Sequence, residues 1–143
     1  NLIWNLKNGA LAPGKYSNEH KIKFNENTII IGDSAPDWKG DPNNSNPEQT
    51  LAASLSSCHM MTFLALAAKM KWPVISYKDI AIAKLGKNSK GKMSVTSIEL
   101  NPKVKFSKNF SITNEKIKEV QDRAHRYCFI ANSLSSEVQV KIN

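Results

Sequence analysis

Between Thr50 and Ala68 the chain carries no Asp, Glu, Lys or Arg. Ala, Leu, Met, Ser and Thr fill most of the stretch, which is opened by Asn46-Pro47-Glu48-Gln49 and closed by Trp72-Pro73. Asn46 suits an N-cap, Pro47 the first helical position, and Gln49 completes a capping-box pattern. A proline stops a helix. The stretch therefore reads as one helix from Pro47 to about Lys71, apolar on nearly all faces and so buried on nearly all faces. A chain of 143 residues builds a single domain, residues 1–143, with one core. Such a domain can hardly wrap this helix alone, and a partner chain is expected.

The remaining pattern is mostly strand. His20, Ile22 and Phe24 alternate with charged residues, a period of two. Asn25-Glu26-Asn27 makes a turn, and Thr28-Ile29-Ile30-Ile31 is a β-branched strand ended by Gly32. Residues 33–46 have loop composition, with Trp38 an unusual member. Ile80 and Ile82 lie on one strand, Met93 and Val95 on the next, with the turn Gly86–Gly91 between them. Ile98, Leu100, Val104 and Phe106 continue the sheet past Pro102. Thr113 caps a second helix whose stripe is Ile117, Val120, Ala124 and Cys128. Glu119–Arg123 and Asp122–Arg126 are i,i+4 pairs on its wet face. Val138, Val140 and Ile142 alternate in a last strand. Hairpins throughout, rather than βαβ crossovers, predict an α+β fold of antiparallel sheets with two main helices.

The net charge of +8 is uneven, with fifteen basic residues against six acids after residue 57. Eighteen of the twenty basic residues are lysine, without the arginine forks or interleaved aromatics of a phosphate-reading surface. Lys84, Lys87, Lys90, Lys92, Lys103, Lys105 and Lys108 read as solvated charges that protect exposed strands. No nucleic-acid role is expected. No uninterrupted apolar run approaches the roughly 18 residues of a membrane span, and no basic-then-apolar leader opens the sequence. Two cysteines without a disulfide framework fit a reducing cytoplasm.

Those two cysteines carry the candidate chemistry. Cys58 lies in Ser56-Ser57-Cys58-His59 on the apolar helix, and Cys128 follows His125-Arg126-Tyr127 at the end of the second. Singly, each is a small core hydrophobe. A neighbouring imidazolium favours the reactive thiolate, and His59 and His125 stand beside the two cysteines. A helix C-terminus disfavours negative charge. Cys58 is thus the better attacking thiol and Cys128 the better resolving one. Zinc is a rival use, since His125-x-x-Cys128 has ligand-like spacing. Cys58 and His59, however, stand about 100° apart on a helix, and no CxxC completes a set. A cysteine hydrolase needs a Cys–His pair with an orienting group. No phosphate-binding or dinucleotide-binding glycine motif is present.

Three segments together resemble the OsmC/Ohr family of organic-hydroperoxide-reducing thiol proteins. They are Asn46-Pro47-Glu48-Gln49 running into Ser57-Cys58-His59-Met60, Ala124 to Ser133 around Cys128, and Tyr16-Ser17-Asn18-Glu19-His20. The resemblance implies an intertwined homodimer with central buried helices and active sites at the subunit interface. It implies a thiol-dependent peroxidase without cofactor or metal. Cys58 becomes a sulfenic acid, Cys128 resolves it to a disulfide, and a dithiol reductant, possibly of the lipoyl type in that family, reopens it. Glu48 corresponds to a family glutamate that holds a thiolate-stabilising arginine. Where relatives carry that arginine this chain has Asn18, and a second family position falls near Trp38-Lys39. Lys39, His59, His125 and Arg126 are therefore the candidate thiolate-tuning groups. A thiol–disulfide oxidoreductase and a non-catalytic dimer binding an apolar ligand are the alternatives. Ten residues separate Glu48 from Cys58, roughly 15 Å along one helix. For both to serve one site, the helix breaks near Ser56-Ser57 or Glu48 reaches the other subunit.

Overall fold

The computed structural model describes residues 1–143, in two compact units, Asn1–Thr50 and Leu51–Asn143. In the first, β1 (Leu2–Ile3), β2 (His20–Lys23) and β3 (Ile29–Gly32) form an antiparallel sheet in sequence order. The expected turn closes through Phe24 N–H to the Thr28 carbonyl at 3.0 Å and Asn27 N–H to Asn25 Oδ1 at 2.9 Å. The loop that follows folds around the buried Asp33 carboxylate, which accepts the N–H groups of Ser34 (2.8 Å) and Asp41 (3.0 Å). A short 3-10 turn, Pro36–Trp38, leaves the indole of Trp38 exposed. Gly40 is required here, because a Cβ would fall 1.7 Å from the Ser34 carbonyl oxygen.

Helix α1 runs unbroken from Pro47 to Lys69. Its start is the reciprocal box that the sequence predicts: Gln49 N–H donates to Asn46 Oδ1 at 2.8 Å, and Asn46 N–H to Gln49 Oε1 at 3.1 Å. Its end is a Schellman motif, with Trp72 N–H on the Ala67 carbonyl at 2.9 Å and Lys71 N–H on Ala68 at 3.0 Å. Lys71 takes the left-handed conformation there, φ 57°, where glycine is usual. No break occurs at Ser56-Ser57, so the first of the two ways to bring Glu48 and Cys58 together is closed.

The second unit holds β4 (Val74–Lys78), β5 (Ile82–Lys87), β6 (Met93–Leu100), β7 (Lys103–Phe106), α2 (Asn114–Tyr127), α3 (Phe129–Ser133) and β8 (Gln139–Ile142). Its class is α+β, as expected. Three details differ from the sequence reading. A strand the pattern does not announce, β4, pairs antiparallel with β7. Ile80 lies outside β5 and is exposed. Most tellingly, β8 pairs parallel to β6, from Ser97–Gln139 to Leu100–Ile142, so the pairing is not antiparallel throughout. β7, α2 and α3 intervene, and they supply the long crossover that a parallel pair needs.

Two apolar clusters share α1. Ala52, Leu55 and Cys58 pack with Ile98, Leu100 and Cys128. Farther along, Phe63 and Ala67 pack with Val120 and Ala124. Phe63 is fully buried and meets Tyr77 and Trp72 at ring-centroid distances of 5.6 and 6.4 Å. α1 is thus the core helix of this unit. Contrary to the sequence reading it is long and apolar enough to cross a membrane by length and composition. Ser54, Ser56, Ser57 and Thr62 interrupt its apolar run without making it polar. It is also not buried all round: only 28% of its most apolar stretch is covered within this chain.

Truncation at the crowded centre tests this packing. Phe63→Ala should cost about 3–5 kcal/mol of folding stability, by the transfer and cavity penalty of a buried aromatic, read from the urea midpoint at constant slope. A loss under about 1 kcal/mol would mean that Phe63 does not sit where the two helices meet.

Candidate active site

Cys58 is carried on the α1 stripe that includes Ala52 and Leu55, so the core packing that fixes the helix also fixes the thiol. Cys128 belongs to the same cluster, and both thiols are free. It is not the last residue of α2. The helix ends at Tyr127, and Cys128 turns extended at φ −72°, ψ 116°. Its N–H caps α2 on the His125 carbonyl at 3.2 Å. Its sulfur caps α3, accepting the Ala131 N–H at 3.4 Å. The chain passes from one helix to the next at this residue, which corrects the picture of a thiol facing only a helix C-terminus.

The break between α2 and α3 separates the two thiols electrostatically. Burial pushes the Cys58 thiol up, but hydrogen bonds to its sulfur from the Cys128 thiol and from the Ile130 and Phe129 N–H groups outweigh burial. The result lies below the ordinary thiol range. The Thr62 hydroxyl adds least. For Cys128, burial and the hydrogen bond given to Cys58, with that neighbour's charge, push the thiol up to about 11. Cys58 is thus the more acidic of the two thiols. The donors to Cys58 are a partner thiol and the first N–H groups of α3, not an imidazolium.

The candidate tuning groups are placed otherwise. His59 is fully buried, and its Nε2 is 2.7 Å from Gln121 Oε1. Burial holds its pKa below the usual imidazole value, with the Gln121 bond opposing, so it is neutral and no cation for the thiolate. With its Nε2 proton given to Gln121, Nδ1 is left without a partner. His125 is half-buried and its Nδ1 likewise has no partner. Arg126 is exposed and enters the site only through its backbone, whose carbonyl accepts from Asn132 Nδ2 at 3.1 Å. Glu48 and Lys39 belong to the Asn1–Thr50 unit, Glu48 half-buried and Lys39 exposed. No group of three or more His, Cys, Asp or Glu side chains comes together.

Sequence reasoning missed the groove beside the thiol. A cavity of about 560 Å³ is lined by Cys58, Met61, Thr62, Ala65, Leu66 and Lys69 from α1 and by Arg123, Tyr127 and Phe129 opposite. Arg123 is not ion-paired with Glu119, which bonds Lys116 at 2.7 Å instead. The Asp122–Arg126 pair is also absent, as the protein's four ion pairs lie elsewhere. The signal was present in the sequence as spacing: Cys58, Met61, Ala65 and Lys69 share one helical face.

Over residues 40–143 the sequence matches the model of the OsmC-like protein family. No curated protein matches it. The chain is similar to an OsmC-like protein of unknown function from Vibrio cholerae, 38% identical over 100% of this chain and 96% of that one, with a TM-score of 0.90. An organic hydroperoxide resistance protein from Elizabethkingia anophelis is 19% identical, with a TM-score of 0.73 over 87% of this chain and 86% of its own. The organic hydroperoxide resistance protein OhrB of Bacillus subtilis is 19% identical, with a TM-score of 0.59 over 87% and 96%. At that identity the last two share the fold.

The acidity of Cys58 depends on its thiol donor. Removing it in Cys128→Ala should raise the pH midpoint of Cys58 alkylation, measured by mass against time. A depressed pKa keeps the thiolate populated as pH falls, so intact protein should alkylate at lower pH than free cysteine. An unchanged midpoint in the variant would show that Cys128 does not hold the thiolate.

Proposed function

Because this chain belongs to the OsmC-like protein family, we propose that it is a thiol-dependent peroxidase that reduces organic hydroperoxides. One observation carries this reading: an acidified Cys58 and a proton-holding Cys128 share one cluster, with Cys58 opening onto an apolar groove. The Cys58 thiolate attacks one oxygen of the hydroperoxide. An S–O bond forms as the O–O bond breaks, the alcohol leaves with a proton, and Cys58 becomes a sulfenic acid. The Cys128 sulfur then attacks the Cys58 sulfur. The disulfide forms, and the sulfenic hydroxyl leaves as water with the Cys128 proton. A dithiol reductant, of the lipoyl type in this reading, returns both thiols by exchange and is itself oxidised.

The raised pKa of Cys128 suits this order of events. Part of it comes from the charge on Cys58, and oxidation of Cys58 removes that charge. The resolving thiol therefore becomes easier to ionise once it is needed. Two free thiols also fit a cytoplasmic location.

Assembly belongs to the same proposal. α1 leaves most of its apolar stretch uncovered, and Met61 (58% exposed), Tyr127 (61%) and Phe129 (81%) stand open around the thiol. A second copy packed on this face would cover them, forming a homodimer. With α1 unbroken, Glu48 joins a site by reaching the Cys58 of the other copy.

Cys58→Ser should abolish consumption of cumene hydroperoxide by reduced protein. Cys128→Ser should consume one equivalent and trap a sulfenic acid, seen as a mass gain blocked by prior alkylation. Equal partial loss in both would overturn the division of roles, and disulfide exchange without peroxide consumption would favour an oxidoreductase. Sedimentation should give a dimer at micromolar concentration; an active folded monomer would sink the shared-site assembly.

A further inference from the structure

Apolar contact is non-directional. It holds α1 against its neighbours without fixing how far the helix turns or slides. Beyond the N-terminal cap, the side chains of α1 that hydrogen-bond to another element are Ser56 and His59, and they flank Cys58. Ser56 Oγ donates to Asp79 Oδ2, and His59 Nε2–H donates to Gln121 Oε1 at 2.7 Å. Thr62 turns back on its own helix.

Both partners are themselves held. Asp79 accepts the Asn101 N–H at 2.6 Å through its other oxygen, where β6 turns into β7. Gln121 is buried on α2, seven residues before Cys128, and so about two turns along on the same side. On α1, His59 and Ser56 stand about 100° and 160° round the axis from Cys58. Two tethers on that side fix both the rotation and the slide of the helix at the thiol. The main donors to the Cys58 sulfur, the Cys128 thiol and the Ile130 and Phe129 N–H groups, all lie past the end of α2. Hydrogen bonds weaken steeply as distance and angle leave their best values, so a displacement of α1 by about 1 Å would forfeit them.

We infer that His59 and Gln121 are positioning residues for the thiol pair: through their contact α2 sets where the Cys58 sulfur stands opposite Cys128, and the Ser56–Asp79 tether holds the helix from the other side. Neither His59 nor Gln121 meets the reacting atoms. His59 serves as a neutral donor, and what it transmits is geometry. An apolar pair of similar volume would fill the same space, but it would leave α1 to settle by shape alone. The bearing of this contact on turnover rests on the peroxidase reading above; the placement of the two thiols does not.

The test removes the contact without orphaning either partner, in the double variant His59→Leu/Gln121→Leu. His59→Gln is the conservative variant, since its terminal amide falls near the imidazole Nε2 and still donates to Gln121. Two readouts need no peroxide. One is the pH midpoint of Cys58 alkylation. The other is the ratio of disulfide to dithiol at equilibrium with reduced and oxidised dithiothreitol. There Cys58 and Cys128 give two electrons and two protons to the oxidised reagent as their S–S bond forms. In the leucine pair the midpoint should rise by about one pH unit, tenfold in thiolate. The disulfide ratio should fall about tenfold or more, as misplacement of reacting groups predicts. His59→Gln should restore most of both. Native values in the leucine pair overturn the inference. An equal shift in Phe63→Ala, which loosens the same helices but keeps the contact, overturns it too. Should the leucine pair not fold, Gln121→Asn decides: it draws the amide back by one methylene, and unmoved readouts would sink the idea. If the native chain closes no disulfide, the peroxidase reading loses its resolving step and the alkylation midpoint decides the inference. Native protein that shows both behaviours yet leaves cumene hydroperoxide unconsumed keeps the inference and removes the peroxidase reading.

Discussion

A helix with almost no polar face has to be covered, and α1 meets two cores along its length while one side stays open. Its first turns meet Ile98 and Leu100, and its later turns meet Val120 and Ala124. Between them His59 is tied to Gln121, a buried polar contact that fixes how α1 sits against α2. Truncating either member would leave the other polar group buried without a partner, the costly case for a buried hydrogen bond. The thiol is held on the first core, and the groove runs along the side that neither core reaches.

The difference between the two thiols depends on the break at the end of the next helix, α2. A continuous α2 would have carried Cys128 on as another buried methyl-sized filler. Ending at Tyr127 instead, the chain places a thiol between a helix end and a helix start and gives α3 its first N–H groups next to Cys58. Two cysteines in one apolar cluster would ordinarily both have raised pKa values. Hydrogen bonds outweigh burial at Cys58 and fail to do so at Cys128, and this separates the pair.

What was legible in the sequence was local. The Asn46–Gln49 box is a short-range code, and it closed as written. The far end of α1 was less readable, because Lys71 takes a conformation usually marked by glycine. The alternation of Val138, Val140 and Ile142 announces a strand with one buried face, but period two carries no direction, so the parallel partner was invisible. Cys128 was read as helical because it continues the Ile117–Val120–Ala124 stripe, and cysteine is not a usual cap. Arg123 was read as the partner of Glu119 because the i,i+4 rule looks only along one helix. The groove that claims it is made by two.

The parallel pairing of β8 with β6 also sets the order in which this site can come into being. Val138, Val140 and Ile142 pack against the cluster that holds both thiols, yet they follow β6 by the whole of β7, α2 and α3. Contacts so distant in sequence form late, because their loop-closure entropy has to be met before they stabilise anything. The hairpin β5–β6 and the helices can form while the chain is still being made. The enclosure of Cys58 and Cys128 waits for β8. Until β8 docks, the cluster that holds both thiols lacks one wall, so Cys58 and Cys128 gain their native surroundings only after the helices that carry them have formed.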